Sequence, residues 1–184
     1  MGRWASPEHV STALRGDAIA ADQLVAAIWP ACFRLAATVL CDRSLAEDAA
    51  QEACAIVHRK VRSLRSVDAF DVWLYRIVMH ETAKVRRKNA AFDDRIPERC
   101  IEADGATSID VWQALKALSP RLREVTVLFY FDDLKSEEIA GILRIPHSTV
   151  RTRLNKARER LRTLLGDYED ESISTGAEAK HYAV

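Results

Sequence analysis

Five side chains in one stretch of this sequence, Ser148, Arg151, Thr152, Asn155 and Lys156, fall on a single face of a helical repeat and carry the hydrogen-bonding groups that read nucleic acid. Arginine and lysine can donate to guanine edges and asparagine can pair with adenine, while the hydroxyls and remaining bases, Thr149 and Arg153 among them, can hold phosphates. A second set is acidic. Asp48 and Glu52 lie four residues apart, with Gln51 adjoining, so one helix face presents two carboxylates. Paired carboxylates can meet a basic partner surface or act as general acid and base. Acid–base work needs a converging pocket, a nucleophile or a metal partner, and the sequence supplies none of them. The third set is Trp73, flanked by Phe70 and Tyr75 and followed by Lys84, Arg86, Arg87 and Lys88. Aromatic faces next to cations suit a separated nucleic-acid strand. Each set also has a plainer reading: a solvated amphipathic helix, an exposed acidic face, a core tryptophan.

The elements that must position these groups are helical. From Leu118 to Leu165 the chain predicts a helix opened by Ser136, with Glu137 and Glu138 in its first turn, where the helix dipole favours acids. Ile139, Ala140 and Leu143 form its buried stripe. Arg144-Ile145-Pro146 ends it, because proline removes a donor and disfavours helical geometry at Ile145. A second helix starts near His147, burying Val150, Leu154, Ala157 and Leu161 behind the polar face. Such a helix–turn–helix suits a major groove. Between Ala18 and Ala90 the same periodicity predicts three helices: Ala20 to Leu40 with a kink or break at Pro30, one capped by Asp42 or Ser44, and one capped by Asp68.

Whole-chain composition supports an ordinary packed protein and excludes little else. The chain has 184 residues, 48% of them hydrophobic, with 27 basic and 27 acidic residues. Charge is sorted by segment rather than in sum. From Val111 to Gly166 basic residues exceed acidic ones 11 to 6. Acids gather instead at Asp93, Asp94, Glu98, Glu102, Asp104 and Asp110, and again from Asp167 to Glu178. Cys32, Cys41, Cys54 and Cys100 form no Cys-x-x-Cys pair and follow no signal peptide, which predicts reduced thiols in a cytoplasm and no metal or cofactor. No apolar run approaching a membrane span is expected. The expected fold is all-α: two small helical domains, 1–90 and 109–166, joined by a flexible acidic linker, 91–108, and followed by a disordered acidic tail, 167–184.

With these motifs in hand the sequence resembles the bacterial RNA polymerase sigma factors of the extracytoplasmic-function class. LSPRLREVTVLFYFDDLKSEEIAGILRIPHSTVRTRLNKARERLR is similar to that family's fourth conserved region, and Ala46 to Glu52 and Phe70 to Ile77 are similar to its second. The resemblance implies a non-enzymatic specificity subunit that binds core RNA polymerase through Asp48, Gln51 and Glu52. It implies that the loop from Arg65 and Ser66 to Ala69, with Phe70, Trp73, His80, Lys84, Arg86, Arg87 and Lys88, binds the melted upstream promoter element. The helix–turn–helix would read a second element as duplex, the linker would follow the polymerase's RNA channel, and an anti-sigma factor is a possible further partner. Four positions depart from the family pattern: Cys54 and His58 stand where many relatives have large aromatics, His80 where asparagine is common, and Arg144 where the turn usually has glycine. The rival reading is a free-standing helix–turn–helix regulator that binds duplex DNA without polymerase. It leaves the acidic helix unexplained.

Overall fold

The structure, a computed structural model, describes residues 4–89 and 106–165; residues 91–105 of the expected 91–108 linker, the expected tail and Cys100 lie outside them. Among the described residues the fold is all-α, with helices α1 (Pro7–Leu14), α2 (Ala18–Leu40), α3 (Arg43–Lys60), α4 (Phe70–Asn89), α5 (Ala106–Ala117), α6 (Pro120–Thr126), α7 (Ser136–Leu143) and α8 (His147–Leu165). Packing divides them into one unit of α1 to α4 and a second of α5 to α8.

In the first unit most helix starts have a side-chain cap. Ser6, Asp17 and Asp42 accept from His9, Ala20 and Leu45 backbone N–H groups at 3.3, 3.1 and 2.8 Å. The Ser6-Pro7 start gives α1, a helix the sequence reading did not anticipate. α2 runs through Pro30 without the break that was one of the two expected outcomes there. Pro30 is exposed, so the carbonyl it leaves without a donor can turn to water, while Leu24, Ile28, Cys32, Leu35 and Val39 hold the inward stripe. α2 is also long and apolar enough to cross a membrane by length and composition, contrary to expectation. Its apolar stripe is buried by protein instead, chiefly by α3. There Ala46, Ala49, Ala50 and Ala53 are fully buried, a row of small side chains that lets two helices approach closely. Two 3₁₀ turns, Val61–Ser63 and Val67–Ala69, lead into α4. Asp68 therefore lies inside the turn that leads into α4, two residues before the helix begins, rather than at its cap position. Arg62 Nη2 donates to the carbonyl of Gly16 at 2.6 Å, tying the α1–α2 turn to the α3–α4 connection. Gly16 has φ +95, a conformation only glycine adopts without strain.

The second unit is built on Leu115, Leu118 and Ala157, with Trp112, Leu122 and Leu161 against them. α5 begins at Ala106 rather than Ile109, since no breaker follows Gly105. Arg123 is buried; its Nε donates to Leu115 O at 2.8 Å and its Nη2 to Lys116 O and Leu118 O at 2.7 and 3.0 Å, closing the end of α5. A π-helical turn, Val127–Phe131, follows α6. The residue ahead of α7 is Lys135, not Ser136: its N–H donates to Glu138 Oε2 at 2.8 Å, so the Glu138 carboxylate, not a serine hydroxyl, serves this helix start. Ile139 and Ile142 are its buried residues, whereas Ala140 and Leu143 are half-buried.

Arg144 ends α7 in the left-handed region, φ 54 and ψ 47, and Ile145 N–H donates to Ala140 O at 3.2 Å, the six-to-one closure of a Schellman turn. His147 Nε2 lies 3.2 Å from Glu137 Oε1 across the turn. Because an L-residue is strained at this φ, Arg144→Gly should raise the stability of the second unit by about 1 kcal/mol. A urea midpoint equal to or below that of the unchanged chain would refute the strain.

Candidate nucleic-acid and partner interfaces

α8 turns its expected face outward. Ser148, Arg151, Thr152, Asn155 and Lys156 are exposed, Thr149 and Arg153 are half-buried, and Val150, Leu154 and Ala157 are buried behind them. Local bonds qualify what two of these can do. Thr152 Oγ1 donates to Ser148 O at 2.9 Å, which leaves its lone pairs and methyl for a ligand. Asn155 Oδ1 accepts from Arg158 Nη1 at 3.3 Å, so a bidentate adenine contact requires that bond to open. Arg158 is a residue the sequence reading missed, although it lies three positions beyond Asn155 on the same stripe. Its Nε donates to the Tyr130 hydroxyl at 2.8 Å, and its guanidinium sits 6.0 Å from the Phe129 ring centroid. The π-turn thus braces α8 from outside.

On α3, Asp48 and Gln51 are exposed and Glu52 is half-buried. Glu52 accepts from Arg59 Nη2 at 3.3 Å, and Glu47 from Arg43 Nε at 3.1 Å. The acidic face is therefore edged by cations of its own helix, with Asp48 between the two pairs.

α4 corrects one expected strand-binding residue. Phe70 is only 2% exposed and belongs to the core with Leu74, Tyr75 and Val78, so it cannot stack on a base. The apolar stripe takes it, leaving Trp73, half-buried and 6.1 Å from the Phe70 ring, as the aromatic nearer the surface. Arg65 and Ser66 are exposed ahead of the helix, and His80, Lys84, Arg87 and Lys88 are exposed along it, with Arg86 half-buried. Arg76, also exposed, falls on the same stripe as Trp73, His80, Lys84 and Arg87, a spacing the sequence offered and the reading did not use.

Behind that stripe lies a buried acid. The Glu81 side chain is 3% exposed; its Oε1 is 2.9 Å from His80 Nδ1 and its Oε2 is 2.9 Å from Lys84 Nζ. Burial alone pushes the carboxyl up, but Lys84 and His80 outweigh it and hold Glu81 below its ordinary 4.5. The same contact holds the Lys84 ammonium above its ordinary 10.5, helped by Glu52 and opposed by Arg59 from α3.

In the core, the Cys32 thiol is hydrogen-bonded to Cys54. That bond and burial raise the Cys32 thiol, and the bond lowers Cys54. Both are buried within a helix pair, as small hydrophobes would be. Among the described residues no group of three metal-ligating side chains is placed to hold an ion.

The Glu81 contacts imply a pH signature. Stability from a lowered carboxyl is present above about pH 4.5 and lost as pH falls through the lower folded value; that from the raised ammonium is present below about 10.5 and lost above it. Glu81→Gln should therefore lower the Tm at neutral pH by a few degrees and narrow that gap below pH 4.5. Melting curves across pH with a constant gap would contradict the ion-pair account.

Two family models match the chain: Sigma-70 region 2 over residues 14–92 and Sigma-70 region 4 over residues 108–161. The ECF RNA polymerase sigma factor SigW of Bacillus subtilis is 30% identical over 166 residues, covering 76% of this chain and 83% of that protein. The RNA polymerase sigma-H factor of Pseudomonas aeruginosa is 32% identical over 166 residues, covering 79% and 86%. Among solved structures, the sigma factor RpoE of Bartonella quintana, crystallised with the anti-sigma factor NepR, is similar at a TM-score of 0.67 and 26% identity, covering 78% of this chain and 95% of that one.

Proposed function

Because the chain belongs to the sigma-70 family of RNA polymerase sigma factors, in its extracytoplasmic-function class, we propose that it binds core RNA polymerase and directs promoter-specific initiation through three outward faces carried on two helical units. The observation that carries this reading is the separation of chemistries: acid on α3, aromatic and basic groups on α4, and groove-reading groups on α8. A free-standing regulator needs only the last.

In this reading 1–90 acts as the region 2-like domain and 109–166 as the region 4-like domain. Asp48, Gln51 and Glu52 meet a basic surface of the polymerase. Arg65, Ser66, Trp73, His80, Lys84, Arg86, Arg87 and Lys88 hold the melted upstream element, the cations following phosphates so that binding weakens with salt. Ser148, Thr149, Arg151, Thr152, Arg153, Asn155 and Lys156 engage duplex DNA, with base readout assigned to Arg151, Asn155 and Lys156 and phosphate contacts to the rest. The protein works in the cytoplasm, performs no catalysis of its own, and offers the same faces to an anti-sigma partner.

Arg151→Ala should lower transcription from the cognate promoter roughly tenfold, the scale of one lost base contact, while core binding stays near that of the unchanged protein. Unaltered promoter output would remove Arg151 from the groove. The joint change Asp48→Lys and Glu52→Lys should weaken core binding and leave the helical circular-dichroism spectrum intact. Full-strength pull-down of core polymerase would sink the α3 assignment. Footprinting with and without core polymerase tests the whole reading: protection by the free protein at full strength supports the stand-alone regulator instead.

A further inference from the structure

His80 and Glu81 are consecutive on α4, yet their side chains meet at 2.9 Å, and the acid is buried while 68% of the imidazole side chain is exposed. We propose that Glu81 fixes the tautomer of His80 so that the ring's other nitrogen, Nε2, accepts a hydrogen bond and selects bases bearing an amine at purine C6 or pyrimidine C4, adenine or cytosine, in the unpaired upstream element. This rests on the reading of α4 as the strand-binding helix.

The argument starts from what a carboxylate can do. An ionised carboxylate has no proton to give, and Glu81 is held ionised by the Lys84 ammonium at its other oxygen, 2.9 Å away. The 2.9 Å contact to His80 therefore requires the proton on Nδ1. In a neutral imidazole so oriented, Nε2 carries a lone pair, and it lies on the ring edge opposite Glu81. His80 shares its stripe with Trp73, Arg76, Lys84 and Arg87, and 68% of its side chain is exposed there. A base freed from its partner presents at the corresponding ring carbon either an amine, in adenine and cytosine, or a carbonyl, in guanine and thymine. An acceptor pairs with the amine and meets a second lone pair on the carbonyl. In duplex DNA one hydrogen of that amine is taken by the opposite strand, whereas a base freed from its partner offers its whole pairing edge to Nε2.

The reconstituted holoenzyme, transcribing a promoter library randomised across the melted upstream element, provides the test. The unchanged protein should favour amino over keto bases at one position by roughly tenfold. His80→Ala should lose that preference at that position alone. Glu81→Gln should reverse it: Lys84 retains the amide oxygen, the amide nitrogen faces Nδ1, and the ring proton shifts to Nε2, which becomes a donor to keto oxygens. Deoxynebularine in place of adenine there should reduce transcription by the unchanged protein and not by His80→Ala. Nitrogen NMR of the free protein should show a protonated Nδ1 on His80, moved to Nε2 in Glu81→Gln. Identical base preference in all three proteins, or a loss spread evenly over every position, overturns the proposal. If Glu81→Gln lacks the native circular-dichroism spectrum, the His80→Ala and deoxynebularine comparison decides the matter alone. Absence of promoter-specific transcription by the unchanged holoenzyme would instead overturn the assignment of the chain as a sigma factor.

Discussion

The carbonyls at the end of α5 have one buried side chain, Arg123, to accept from, and the second unit is arranged around that contact. Short helices have a large share of their backbone groups at open ends, so each end needs a partner. Where that partner comes from distant sequence, it also fixes tertiary geometry. Arg123 locks α6 across α5 and thereby sets the surface on which α8 packs, while Arg62 does the equivalent in the first unit by reaching Gly16. The functional faces point outward because the inward faces are committed by these closures.

Side-chain size does the remaining positioning. The alanine row of α3 brings that helix close to α2, which leaves its longer polar residues only the far side, where Asp48 and Gln51 stand exposed. On α8 the alternation of Val150, Leu154 and Ala157 with Arg151, Asn155 and Lys156 has the same effect with larger core residues. On α4 the division is less clean, since Glu81 is polar yet buried, and it is there that two surface side chains, the imidazole of His80 and the ammonium of Lys84, are tethered rather than left to solvent.

How much of this was legible follows from which signals are local. Helical periodicity gave the outward residues of α8 and α3, because burial there tracks hydrophobicity one position at a time. The resemblance, not periodicity, marked Arg144 as standing where the turn usually has glycine, and its φ of 54 is the left-handed geometry that favours glycine. Phe70 was misassigned because aromatic residues suit a core and a base stack equally, and only the packing of Leu74 and Val78 beside it separates the two. The Lys135–Glu138 closure displaced Ser136 because helix starts are defined by a backbone donor that the sequence does not label. Arg123 was invisible in its role: a charged residue reads as surface unless its carbonyl partners are known. The His80–Glu81 contact was equally hidden, since consecutive helix residues ordinarily diverge.

The tie between Arg62 and Gly16 and the edge-on contact of Trp4 with Tyr75, ring centroids 4.7 Å apart, have a consequence for how the chain is born. α1 precedes its partners in the chain, so it leaves the ribosome before they do. At about 5–20 residues per second, several seconds pass before Tyr75 follows Trp4 into solution. Through that interval the aromatic arm is exposed, and it is withdrawn only when the α3–α4 connection and the start of α4 are complete. Burial of the amino-terminal arm is thus tied to completion of the first unit rather than to the making of α1 itself.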